Sequence, residues 1–137
     1  MIGISTKTVY AVAALYELGS VEPDTLLKIK EIAANASIPQ NFLEQILLEL
    51  RKQGMLQSIK GAHGGYKLAR ELKDITLKEV MDILESDAFT YVCKTDDPTL
   101  KLFWMDITEK VSSVFDIPLS ELKTYQLKAS KTLNYSI

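Results

Sequence analysis

The stretch from Ile29 to Leu68, IKEIAANASIPQNFLEQILLELRKQGMLQSIKGAHGGYKL, constrains the fold more than any other part of the chain. It holds two short helical patterns, a sharp break at Ser37-Ile38-Pro39, and a glycine-rich hairpin with basic residues beside its tip. Helix, turn, helix and then a β-ribbon wing is an order that suits double-stranded DNA. The first of these helices is expected from Lys30 to Asn35. Pro39 suits the first position of the next, where the N–H it lacks would have no helical partner. That second helix is expected over about Gln40 to Gln53. Leu43, Ile46, Leu47 and Leu50 recur at intervals of three and four, so they face a core. Gln40, Asn41, Glu44, Gln45 and Arg51 point the other way. Amides and carboxylates on the first turns of a helix can read base edges in the major groove, although a solvated polar face is the commoner fate of such residues.

Gly54 ends that helix. Met55 to Lys60 alternates as a strand does, and Tyr66 to Leu68 can return beside it. Between them, Gly61-Ala62-His63-Gly64-Gly65 supplies the positive φ and close backbone approach of a hairpin tip. Lys60 and Lys67 flank the tip and can meet phosphates, and Lys60 or His63 can enter a minor groove. No Gly-Lys-Ser/Thr follows the glycines, so this is not a nucleotide-binding loop. The chain has one His and one Cys, too few for a metal-ligand cluster or a nucleophile–base set, so neither a metal site nor an enzyme is expected.

The chain of 137 residues, 47% of them hydrophobic, can bury a single core. No apolar run approaches the roughly 20 residues that span a bilayer. The N-terminus lacks both the basic start and the continuous apolar stretch of a signal peptide. A lone cysteine, Cys93, leaves no internal disulfide and fits a reducing cytoplasm. The formal net charge of −2 is unevenly spread. Residues 1–70 carry eight Lys/Arg against six Asp/Glu, and residues 71–137 eight against twelve. The N-terminal half can thus face phosphates while the C-terminal half serves another purpose; an ordinary mixed surface fits equally well.

Upstream, a first helix is expected from Thr6 to Leu18, with Val9, Val12, Ala13 and Tyr16 on one face and Gly19 as its stop. Ser20 to Thr25 reads as a loop and Leu26 to Lys28 as a short strand. Downstream, Thr76 and Glu79 form a capping box for a helix ending near Glu85. Asp97-Pro98 opens a longer one that reaches about Phe115, roughly 28 Å of helix. On it Leu100, Trp104, Ile107, Val111 and Val114 make a near-heptad seam. The seam packs either on its own domain or on a second copy; its length and the only Trp favour the second copy. Ile117 to Lys128 reads as one more short helix, and residues 131–137 are expected to fray.

The run FLEQILLELRKQGMLQSIKGAHGGYKLA, preceded by IKEIA and by ISTKTVYAVAALYELG, resembles the Rrf-two (Rrf2) family of bacterial winged-helix transcription regulators. The resemblance covers essentially the whole chain. It implies a homodimer, joined through the long helix, on near-palindromic DNA. It also implies recognition residues at Pro39, Asn41, Phe42, Glu44 and Gln45 in the second helix and at Lys60 in the wing. Two positions depart from the family pattern: Phe42 replaces the usual Tyr and loses its hydroxyl, and Lys60 replaces the usual Arg, a more shape-specific reader. Cluster-binding members carry three cysteines in the loop before the long helix. Here only Cys93 stands there, and an iron–sulfur cluster needs about four donors. Cys93 is therefore a relic or a candidate redox thiol. Lys94 would favour its thiolate, and Asp96 and Asp97 oppose it.

The expected protein is mainly α with a small β wing. Residues 1–72 form a winged helix-turn-helix, and residues 73–137 supply a linker helix, a long dimerisation helix and a C-terminal segment. The expected function is a sequence-specific DNA-binding repressor: a cytoplasmic homodimer without cofactor, iron–sulfur cluster or membrane contact, and with a small-molecule or protein effector as a further partner. The alternative is a winged helix used for protein interaction or effector binding with little DNA affinity.

Overall fold

The computed structural model describes residues 3–85, 87–89 and 94–135. Among the described residues, six helices and one two-stranded sheet follow in the order α1 (Thr6–Gly19), α2 (Ile29–Ala36), α3 (Gln40–Lys52), β1 (Leu56–Ile59), β2 (Gly65–Leu68), α4 (Leu77–Leu84), α5 (Pro98–Val114) and α6 (Leu122–Tyr135). Short 3-10 turns at Leu72–Asp74 and Leu119–Glu121 precede α4 and α6.

Helix α1 is the centre of the core. The Ser5 hydroxyl caps it by accepting the Thr8 N–H at 3.3 Å. Its buried side is Thr8, Ala11, Ala14, Leu15 and Leu18, and the apolar face of Val9, Val12, Ala13 and Tyr16 lies on another side. Val9 is exposed, while Val12 and Ala13 only flank the core. The helix is apolar on two sides, and α2, α3 and α4 all close on the side where Ala11 and Ala14 let backbones approach. Leu43, Ile46, Leu47 and Leu50 of α3 are fully buried against it, as their spacing predicts.

Strands β1 and β2 pair antiparallel, with Leu56 opposite Leu68 and Ile59 opposite Gly65. A Cβ on Gly64 would lie 1.9 Å from the Ile59 carbonyl oxygen, and one on Gly65 2.7 Å from that of Leu27. Both approaches admit only glycine. The expected strand at Leu26 to Lys28 is a single bridge. Leu27 and Tyr66 exchange two backbone hydrogen bonds, of 3.0 and 2.8 Å.

The Thr76 hydroxyl caps α4 by accepting the Glu79 N–H at 3.1 Å, and the Asp97 carboxylate caps α5 by accepting the Thr99 N–H at 2.8 Å. Arg70 donates to both Glu79 carboxylate oxygens, at 2.9 and 3.3 Å, and to the Asp74 carbonyl, joining the end of β2 to α4. The hydrogen bond to Glu79 raises the Arg70 pKa further. The chain after α5 returns to the same core: Leu77 and Lys78 donate to the carbonyls of Ile117 and Phe115, Leu119 donates to Ile75, and the Leu119 side chain is buried. No residue of α5 is buried. Helix α6 runs to Tyr135, beyond the expected end at Lys128, so residues 131–135 are helical rather than frayed. Helix α6 carries three Leu and three Lys, good helix formers, and the apolar pattern that marks shorter helices is weak there.

Candidate nucleic-acid interface

The turn between α2 and α3 is set by backbone geometry. Ser37 takes a left-handed conformation at φ 56°, ψ 45°. The next N–H, from Ile38, donates back to the Ala33 carbonyl at 3.0 Å, and the Ile38 side chain is buried. At the other end of α2 the Glu31 carboxylate accepts the Lys28 N–H at 3.2 Å. The first hydrogen bond closing α3 runs from the Leu43 N–H to the Pro39 carbonyl. The N–H groups of Gln40, Asn41 and Phe42 therefore point out from the positive end of the helix, a setting that favours a phosphate.

With α3 buried along Leu43, Ile46, Leu47 and Leu50, each residue turning about 100° places Asn41, Gln45, Leu48 and Lys52 along the middle of the outward face. Gln40, Glu44 and Arg51 lie on the wing side, where the Arg51 guanidinium donates to the Ser58 hydroxyl of β1 at 3.1 Å. Phe42 and Glu49 lie on the α1 side. Lys7 pairs with Glu49 at 2.7 Å, and the Phe42 ring stands edge-on to Tyr10 with centroids 6.1 Å apart. Pro39, Gln40, Asn41, Phe42, Glu44 and Gln45 are all exposed, so the expected reading residues share one accessible end of α3.

Between this helix and the wing lies a cleft of about 370 Å³ lined by Lys28, Arg51, Ser58, Lys60 and Gly61. The Lys28 ammonium donates to the Ala62 carbonyl at 2.8 Å, beside the wing tip. Lys28 is absent from the sequence-based expectation, and no local pattern marks it. It reaches the site only because Leu27 pairs with Tyr66 across 39 positions of chain. Lys60 and His63 are exposed at the tip. Lys67 is not brought there: its ammonium is 2.9 Å from Asp24, at the base of the wing. In the hairpin Lys67 stands opposite Gln57, three positions before Lys60, and residues an odd number apart along a strand face opposite sides.

Of the expected dimer residues, Leu100, Trp104, Val111 and Val114 are between 44% and 61% exposed, and Ile107 is half-buried. Phe103, in edge contact with Trp104 at 5.1 Å, widens the seam. Cys93 lies outside the described residues. Among the described residues no group of three or more His, Cys, Asp or Glu could hold a metal ion. No helix among them is long and apolar enough to cross a membrane.

Comparison with known proteins agrees with this geometry. The profile of the Rrf2 family, described as an iron-dependent transcriptional regulator, matches residues 4–122. The chain is 32% identical over 124 residues to the HTH-type transcriptional regulator CymR of Bacillus subtilis, covering 89% of this chain and 90% of that protein. The solved structure of CymR, the global cysteine regulator of B. subtilis, superposes with a TM-score of 0.78 over 91% of this chain and 98% of the other, at 31% identity. The IscR structure of T. potens gives 0.74 over 92% and 89%, also at 31% identity. The chain belongs to the Rrf2 family of transcriptional regulators, and its fold is the winged helix of that family with an added long C-terminal helix.

Proposed function

We propose that this Rrf2-family chain is a sequence-specific DNA-binding repressor of the cytoplasm that acts as a homodimer, without an iron–sulfur cluster and without catalysis. One observation carries the reading. Asn41 and Gln45 are exposed on the outward side of α3, the free N–H groups open that helix, and its wing flank carries Arg51 in a cleft with Lys28 and Lys60. The amides suit adenine edges in a major groove, and the cations suit the phosphates beside it. Asn41, Glu44 and Gln45, with Pro39 and Phe42, form the reading end of α3. Lys60 and His63 form the wing contact. Lys67, held by Asp24, supports the wing rather than touching DNA.

The dimer reading rests on α5, a helix of 17 residues with none buried in its own chain. Pairing it with a second copy along Leu100, Trp104, Ile107, Val111 and Val114 would cover that apolar face and present two α3 helices to successive major grooves. A dimer seated on a promoter represses by occupation alone. Freedom from a cluster rests on donor chemistry. The family description invokes iron, but one Cys and one His do not supply the thiolates a cluster needs. A small-molecule effector has a place to bind in a cavity of about 540 Å³, lined among others by Tyr16, Val21, Arg70, Lys123 and Gln126, where α1, the base of the wing and α6 meet.

The test is selection of duplexes from a random library, followed by affinity against salt. The logarithm of affinity should fall linearly with the logarithm of salt concentration as counterions are released. Lys28→Ala, Arg51→Ala and Lys60→Ala should each flatten that slope by about one and weaken all sequences alike, while Lys67→Ala leaves it unchanged. No duplex binding at low salt would refute the reading.

A further inference from the structure

The two flanks of α3 differ chemically. The wing flank is cationic, with Arg51 beside Lys28 and Lys60. On the α1 flank, Lys7 is neutralised by Glu49 at 2.7 Å, and about two turns nearer the start of α3 stands Phe42, an aromatic ring in the first turn with 48% of its surface exposed. Its edge-on contact with Tyr10 covers part of the ring and holds it, and the remainder is exposed on the α1 flank. A ring held in place at the surface offers a preformed apolar contact to whatever α3 approaches. The Phe42 ring has no polar atom, so it cannot take a hydrogen bond from a phosphate or donate one to a base edge. The apolar group that the major groove offers is the C5-methyl of thymine.

Resting on the DNA reading above, we infer that Phe42 is a specificity-determining residue that selects thymine at one position of each half-site by packing its ring on the C5-methyl. The hydroxyl of a Tyr at this position would bring a polar atom to the same flank; Phe makes the contact purely apolar. The neighbouring Asn41 supplies polar readout of the adjacent pair, so the two residues together would read a step containing one A·T pair by its amide pattern and one by its methyl.

The experiment replaces each thymine of a selected duplex, one at a time, with deoxyuridine, which removes the methyl and leaves the hydrogen-bonding edge intact. For the wild type, one thymine per half-site should show about a three- to fivefold loss, the scale of returning one methyl-sized group to water. Phe42→Ala should weaken binding to the thymine duplex and abolish the thymine–uridine difference. Phe42→Leu, which keeps an apolar contact and the same helix, should retain part of it. Circular dichroism of both variants separates loss of contact from loss of fold. The same thymine–uridine difference persisting in Phe42→Ala, or no thymine responding in the wild type, would overturn the inference while leaving the DNA reading intact. Failure to select any duplex would remove both.

Discussion

Truncating Trp104 to Ala tests the quaternary arrangement with a magnitude the structure supplies. Trp104 is 48% exposed in the single chain and takes no part in the buried core. An aromatic side chain of this size can bury up to about 250 Å², so a partner helix would cover roughly 100 Å² more of each Trp. At about 25 cal/mol per Å² that is roughly 2.5 kcal/mol per protomer, and a twofold interface contains the residue twice. The dimer should weaken by about 5 kcal/mol, between three and four orders of magnitude in Kd. Sedimentation equilibrium over nanomolar to hundred-micromolar concentrations reads this directly. A wild type that is dimeric at micromolar concentration and a Trp104→Ala chain that is largely monomeric there would bear out the arrangement. The winged portion should keep its fold, because its core is Leu15, Leu43, Ile46, Leu47 and their neighbours. A Trp104→Ala dimer whose Kd lies within tenfold of wild type would refute the argument and move the interface off this seam.

Asn41→Ala or Gln45→Ala should reduce discrimination between a selected duplex and its single-base variants by about 1–3 kcal/mol, measured by competition titration, if either amide reads a base. Gly64→Ala forces a Cβ against the Ile59 carbonyl, so the wing must shift; thermal stability should fall by more than about 1 kcal/mol and duplex affinity should fall with it. Protein produced with iron and sulfide and handled without oxygen should be colourless and hold no stoichiometric iron; a brown protein that loses its absorbance in Cys93→Ser would show that other ligands complete a cluster. Mild peroxide should leave duplex affinity equal in the wild type and Cys93→Ser, because a single thiol has no resolving partner within its chain.

Local rules were enough to read several elements from residues alone. The spacing of Leu43, Ile46, Leu47 and Leu50 set which side of α3 is buried and therefore which side is free to read DNA. Thr76 and Asp97 announced the starts of α4 and α5, since a cap is a contact within three residues. Three glycines in five residues announced the hairpin tip, because backbone approach that close has no other solution. What depends on contacts distant in sequence was not legible. The buried side of α1 cannot be read from its residues because the helix is apolar on two sides, and only the arrival of α2, α3 and α4 decides between them. Lys28 joined the cleft and Lys67 left it through the Leu27–Tyr66 bridge and the ion pair to Asp24, which no periodicity encodes. The pattern on α5 could say that its apolar seam needs a partner, but only the folded chain shows that no residue of α5 is buried in its own protomer. Chain periodicity records which residues want to leave water; the tertiary structure alone decides what meets them there.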